Sequence, residues 1–153
     1  MKLSLRGEYA LRALIVLGLQ YQQPVVRIQT ISEQQKIPKR FLEQILNDLK
    51  SAGVVESKRG IAGGYRLARP PEKVTLAQVI RHIEGALAPV PCVSEQFYSK
   101  CSCPDEARCG IRSVMKEVRD AIARILENFT VADLCERVRS LEADQIKRLD
   151  FSI

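Results

Sequence analysis

Apolar residues recur at helical spacing along most of the chain, first as a band running nearly all round and then as narrower stripes. Residues 5–21 (LRGEYALRALIVLGLQY) are apolar on almost every side, which predicts a buried helix ended by Gln-Gln-Pro at 22–24. A short helix is expected over 28–35. After a turn at Lys36-Ile37, Pro38 suits a first helical position, and Phe41, Leu42, Ile45, Leu46 and Leu49 form an inward stripe that Ala52-Gly53 can close. The outward face carries Arg40, Gln44 and Asn47, with Lys39 and Glu43 beside it.

The period then shortens. In VVESKRGIAGGYRLARPP two strand-like runs, 54–58 and 65–67, flank a glycine-rich loop, which is a hairpin signal. Thr75 is placed to cap a helix that runs to Glu84 and stops at Gly85. Residues 111–129 return to helical spacing, with Ile111, Val114, Val118, Ala121 and Ile125 in a stripe and Met115, Ile122 and Phe129 alongside. That stripe is wider than one small core needs, so it suggests pairing with a second copy; packing on its own domain is the competing arrangement. Thr130-x-x-Asp133 reads as a capping box with Asp in place of Glu. It opens a last helix whose Leu134, Val138 and Leu141 can pack back and whose Cys135 serves as a small apolar residue. The expected fold is mainly α with a small β-hairpin wing. A winged helix-turn-helix unit covers 1–84, a cysteine-bearing loop 85–110, and a dimerisation helix with a final helix packing back 111–150.

Two short helices joined by a tight turn, the second presenting Arg40, Gln44 and Asn47, have the form of a helix-turn-helix. Arginine can fork onto guanine, and glutamine or asparagine onto adenine, in the major groove. Lys58 and Arg59 at the base of the hairpin loop would form a wing that reaches phosphate or a minor groove. RGIAGGY by itself resembles a phosphate loop, but it lacks the GxGxxG spacing and no helix follows it directly.

Charge agrees with this reading. The net charge is +6, and residues 36–69 hold eight basic side chains against three acidic ones. A patch of that kind favours a polyanion such as duplex DNA. With 153 residues, 46% of them hydrophobic, the chain can bury the core of one domain without disulfides. The apolar run at 13–19 is only seven residues long, too short for a membrane span and without a signal-peptide layout, so a cytoplasmic protein is expected.

Four of the five cysteines crowd into CVSEQFYSKCSCPDEARC, residues 92–109. In a reducing compartment, clustered thiols point to metal or redox chemistry rather than structural disulfides. Three or four thiolates in one loop can surround an iron–sulphur cluster. Zinc sites usually pair their ligands as C-x2-4-C, which this C-x8-C-x-C-x5-C does not. A thiol–disulfide switch is a third possibility, although no C-x-x-C is present. His82, the lone histidine, reads as structural or solvated. A cysteine-dependent enzyme would need a base beside its nucleophile, and His82 has no evident carboxylate partner in sequence. A cluster carrier would leave the basic helix-turn-helix without a role.

The start MKLSLRGEYALRAL, the stretch IPKRFLEQILNDLKSAGVVESKRGIAGGYRLARPPEKVTLAQVI and the segment CGIRSVMKEVRDAI together resemble the IscR and NsrR type of winged-helix transcription regulators, over about residues 1–135. The resemblance implies a homodimer that binds double-stranded operator DNA and is not an enzyme. It also implies an iron–sulphur cluster in the loop before the dimerisation helix, with 2Fe-2S favoured and 4Fe-4S the other form, which protein isolated in air can lack. Some relatives lack the cysteines and sense by other means. Cys103-x5-Cys109 matches the family spacing and Cys92 matches the first ligand, but the gap after Cys92 is long and Cys101 is an extra thiol. Either Cys101 or Cys103 could be the middle ligand. Where the IscR type has a histidine three residues after the last cysteine, this chain has Arg112, which cannot ligate. The fourth ligand is then Cys101 or Glu8, an acid in the first helix that would reach the site from the other subunit. Otherwise Glu8 is an exposed charge near a helix start.

Overall fold

In the computed structural model, which describes residues 1–152, the hydroxyl of Ser4 accepts from the Gly7 N–H and opens helix α1, Leu5–Leu19. The helix is lined by Ala10, Ala13, Leu14, Val16 and Leu17, all buried, so the other elements can pack around it. Its first turn lies hard against the end of α4, Leu76–Glu84: the Ser4 N–H and hydroxyl donate to the Glu84 carboxylate at 2.9 and 2.6 Å.

Helices α2, Ile28–Gln35, and α3, Lys39–Ser51, form the helix-turn-helix pair. Lys36 takes a left-handed conformation (φ 52°) to end α2, and the Ser32 hydroxyl donates to the Ile37 carbonyl at 2.6 Å across the turn. Arg12 of α1 reaches the Gln35 carbonyl, so a cation sits on the C-terminal end of α2. Pro38 stands just outside α3, as its cap rather than its first residue. Leu42, Ile45, Leu46 and Leu49 are buried as expected. Phe41 is not: 40% of it is exposed, and the Arg40 guanidinium stacks on its ring at 4.8 Å. Position 41 lies at the edge of the stripe, where α1 leaves a shallow groove open.

Strands β1, Val55–Lys58, and β2, Gly64–Leu67, pair antiparallel with Val55 opposite Leu67 and Lys58 opposite Gly64. The turn requires its glycines. A Cβ on Gly63 would come within 2.2 Å of the Lys58 carbonyl, and one on Gly64 within 2.5 Å of the Val26 carbonyl, where Val26 bridges to Tyr65.

Thr75 and Gln78 form a full capping box on α4, and Gly85 ends it at φ 89°. Residues 85–109 have no long element, only short 3-10 turns at Pro91–Val93 and Glu106–Arg108. Helix α5, Gly110–Asn128, follows, and Thr130 with Asp133 forms the expected box that opens α6, Val131–Asp150. Val131 and Cys135 complete the main core against α1; Cys135 Sγ lies over Gly18 and its S–H donates to the Ile15 carbonyl at 3.6 Å. A second small cluster of Leu76, Ala77, Ile80 and Leu87 takes in Leu126, Phe129 and Leu134. Leu141 does not pack back, being 64% exposed, because α6 has run past the end of the core by that point. No helix among the described residues is long and apolar enough to cross a membrane.

Candidate DNA-binding face and cysteine site

Lys39, Arg40, Glu43, Gln44 and Asn47 are all exposed on the side of α3 away from the core. Arg40, Gln44 and Asn47 recur at steps of four and three and so share one face. Lys39 and Arg40 occupy the first turn, where cations are disfavoured by the helix dipole; no acidic residue sits there and no side chain caps the end. That end of α3 therefore offers free N–H groups and two cations together, an arrangement suited to phosphate rather than to helix stability. Arg6 of α1 pairs with Asp48 on the flank of α3, and Lys50 donates to the Ser57 hydroxyl at 2.9 Å, fastening the wing to the helix. Lys58 ends β1 and Arg59 begins the wing loop, both exposed.

The cysteine loop brings its four thiols together. Cys92 is 6% exposed on the Pro91–Val93 turn, and Cys101, Cys103 and Cys109 are half-buried. The Cys103 and Cys109 sulphurs are 3.3 Å apart. Cys92 and Cys101 lie with a Glu106 carboxylate oxygen, all three ligand atoms within 4.8 Å of one another. Both candidates for the middle ligand are thus placed, Cys101 against Cys92 and Cys103 against Cys109.

The surroundings differentiate these thiols. Cys109 caps α5, accepting from the Arg112 N–H at 3.4 Å; this hydrogen bond, then that from Cys103, pushes its thiol down towards thiolate. Cys103 is pushed up to about 12, chiefly by its hydrogen bond with Cys101 and next by that with Cys109. Burial, followed by the nearby Cys101, pushes Cys92 up. Cys103 and Cys92 are thus pushed towards the thiol form while Cys109 is pushed towards thiolate, which makes Cys109 the readiest donor of the three. The loop offers two sets of soft donors, Cys92 with Cys101 beside Glu106 and Cys103 with Cys109, the donor chemistry that a thiolate-bound metal group requires.

Glu106 is a residue that sequence reasoning did not single out. The Tyr98 hydroxyl donates to it at 2.8 Å, and the Arg112 guanidinium lies 3.4 Å from it while also donating to the Cys92 carbonyl at 3.2 Å. The signal available in the sequence was the acidic pair inside CPDEARC. Glu8 is exposed on α1, 3.5 Å from Arg12, and is not among the groups gathered round the thiols of its own chain. His82 is exposed on α4 and belongs to no metal-competent group among the described residues.

The sequence pattern of one family, Rrf2, described as iron-dependent transcriptional regulators, matches residues 3–137. An rrf2-like HTH-type transcriptional regulator of Rhodobacter capsulatus is 40% identical over 131 residues, covering 83% of this chain and 87% of that protein. The HTH-type transcriptional regulator IscR of Vibrio campbellii is 30% identical over all 153 residues and 88% of its own length. Among solved structures, CymR, the global cysteine regulator of B. subtilis, superposes with a TM-score of 0.76 at 28% identity, over 90% of this chain and 98% of that one.

Proposed function

The chain belongs to the Rrf2 family of transcriptional regulators, and from that premise we propose that it is a homodimer whose affinity for operator DNA depends on an iron–sulphur cluster held by the loop at 92–109. The observation that carries this reading is the gathering of Cys92, Cys101, Cys103 and Cys109 with Glu106 on the one segment that joins the DNA-facing unit to α5.

Arg40, Gln44 and Asn47 would read base edges, with Lys39, Lys58 and Arg59 on phosphate and Glu43 beside them. The stripe Ile111, Val114, Val118 and Ile125, exposed on α5, would meet the same stripe of a second copy. Cys103 and Cys109 with Cys92 are the thiolates, and Cys101, Glu106 or the partner copy's first helix through Glu8 completes the set. When bound, a 2Fe-2S cluster would supply an oxidant-sensitive tie among these side chains. The chain's own residues convert that tie into geometry. Cys109 is at once a ligand and the cap of α5, and Arg112 holds the Cys92 backbone to the same helix. Ordering or loosening the loop therefore shifts α5 against α4 and alters the spacing of two α3 helices in a dimer.

A thiol switch without metal is the second reading, favoured by the 3.3 Å contact of Cys103 with Cys109 and by the likeness to CymR. Anaerobic reconstitution followed by visible spectroscopy and iron and sulphide analysis separates the two. Serine at Cys92, Cys103 or Cys109 is expected to abolish the chromophore, whereas Cys135→Ser, buried against α1, is expected to leave it. Stoichiometric zinc with no iron or sulphide would refute the cluster.

A further inference from the structure

At the base of the hairpin, away from the wing loop, the segment 52–54 after α3, Arg69, the outer face of α4 and Gln96 of the cysteine loop enclose an open groove of about 650 Å³. Its polar lining is Arg69, Gln78, Arg81, His82 and Gln96, with no carboxylate among the lining residues. Gln78, Arg81 and His82 are three and four residues apart on α4, so they face the groove together. Arg81 is neutralised by Glu127 of α5 at 2.5 Å. The other donors are uncommitted. Gln78 spends its carbonyl oxygen on the Thr75 N–H at 3.3 Å, which leaves its amide hydrogens free. Arg69 Nε is shielded from solvent and meets no hydrogen-bond partner among the described residues. A shielded guanidinium N–H without an acceptor is a group in want of one.

We infer that this groove is a binding site for a small oxyanion, a phosphate or carboxylate group, held by Arg69 and His82 with the amides of Gln78 and Gln96. The anion is free in solution rather than part of DNA. The Ala68 N–H pairs with the Val54 carbonyl at the base of the hairpin, whereas Lys58 and Gly64 mark the end that leads into the wing loop. Four residue steps of strand, about 13 Å, separate the two ends. Because Gln96 belongs to the cysteine loop and Arg69 to the wing's exit, a bound anion ties the loop to the DNA-facing unit. The site stands independently of whether the thiols hold a cluster.

Calorimetric titration of inorganic phosphate, and separately of citrate, into the full chain at constant ionic strength set with chloride tests this. Saturable binding of one anion per protomer is expected, and whichever anion binds tighter names the source. Arg69→Gln is expected to weaken binding about tenfold or more, as for loss of a charge-assisted hydrogen bond. His82→Gln, at an exposed position that the fold does not need, is expected to weaken it severalfold, while Lys50→Gln, a cation outside the groove, leaves it unchanged. Absence of saturable binding overturns the inference, as does wild-type affinity in His82→Gln or in a folded Arg69→Gln. So does an Arg69→Gln protein that loses DNA affinity but keeps its phosphate affinity, which would put a DNA phosphate in the groove.

Discussion

Helices α3 and α5 carry apolar stripes of the same spacing and meet opposite fates. In α3 the residues Leu42, Ile45, Leu46 and Leu49 are sealed against α1, α2 and the hairpin. In α5 no residue is buried, and Ile111, Val114 and Ile125 are 72%, 55% and 55% exposed, although α4 and the Pro91–Val93 turn cover its other side. A stripe states that a helix needs a partner; it does not state that the partner is in the same chain. What differs is the supply of neighbours. Three elements close on α3 within forty residues of sequence, while α5 follows a loop with little core of its own and turns one face to the outside.

A stripe residue replaced on each helix is expected to have different consequences, and the larger loss belongs to α3. Leu46→Ala leaves a void in a close-packed site and is expected to cost about 2 to 5 kcal/mol of stability by urea unfolding. On α5, Val118→Glu with Ile122→Glu is expected to halve the particle mass in light scattering while circular dichroism keeps the helix content. Charges forced into an apolar interface cost a few kcal/mol, a rise in the dimer dissociation constant of roughly a hundredfold or more. If the α5 variant unfolds, or stays at its original mass, α5 is not the face that pairs.

The polar faces give a smaller contrast. Arg40→Ala or Gln44→Ala on α3 is expected to cost about 1 to 3 kcal/mol at a specific site in a mobility-shift assay at fixed salt. Arg59→Ala in the wing is expected to weaken all sequences alike and to lower the salt slope by about 1. Equal affinity in all three would remove α3 from the DNA.

The elements were legible in the sequence because each is locally signalled: Thr75 and Thr130 as caps, Gly85 as a stop, Gly63 and Gly64 as a turn that tolerates no Cβ. Residues at the ends of stripes were not. Phe41 and Leu141 have the right period, but one lies where α1 stops covering α3 and the other where α6 outruns the core, and periodicity carries no information on where a neighbour ends. The thiols were legible as a cluster in sequence, yet their pairing was not. Glu106 entered the site only through Tyr98 and Arg112, contacts made by a loop whose path no local rule predicts.

The smallest predicted effect falls on the joint between α5, whose stripe faces outward, and the first turns of α6, which are buried through Val131 and Cys135. There the Phe129 carbonyl accepts the Leu76 N–H at 2.8 Å and the Val131 N–H donates to the Val74 carbonyl at 2.8 Å, so Thr130 is pinned beside Thr75 at the start of α4. Thr130 accepts from the Asp133 N–H at 3.2 Å, and Asp133 accepts from the Thr130 N–H at 2.8 Å. Thr130→Ala removes one half of this box and is expected to cost about 1 kcal/mol. The Asp133 carboxyl is held below its ordinary value, first by the Thr130 N–H and then by the Thr130 hydroxyl. Its contribution is therefore complete above the unfolded value of about 3.9 and is lost as pH falls through the lower native value. Asp133→Asn is expected to flatten the part of the acid-unfolding profile that lies below about pH 4, with no change in the pH dependence above it. A profile unchanged by Asp133→Asn would mean that the backbone pairing of 74–76 with 129–131 sets the joint without the carboxylate.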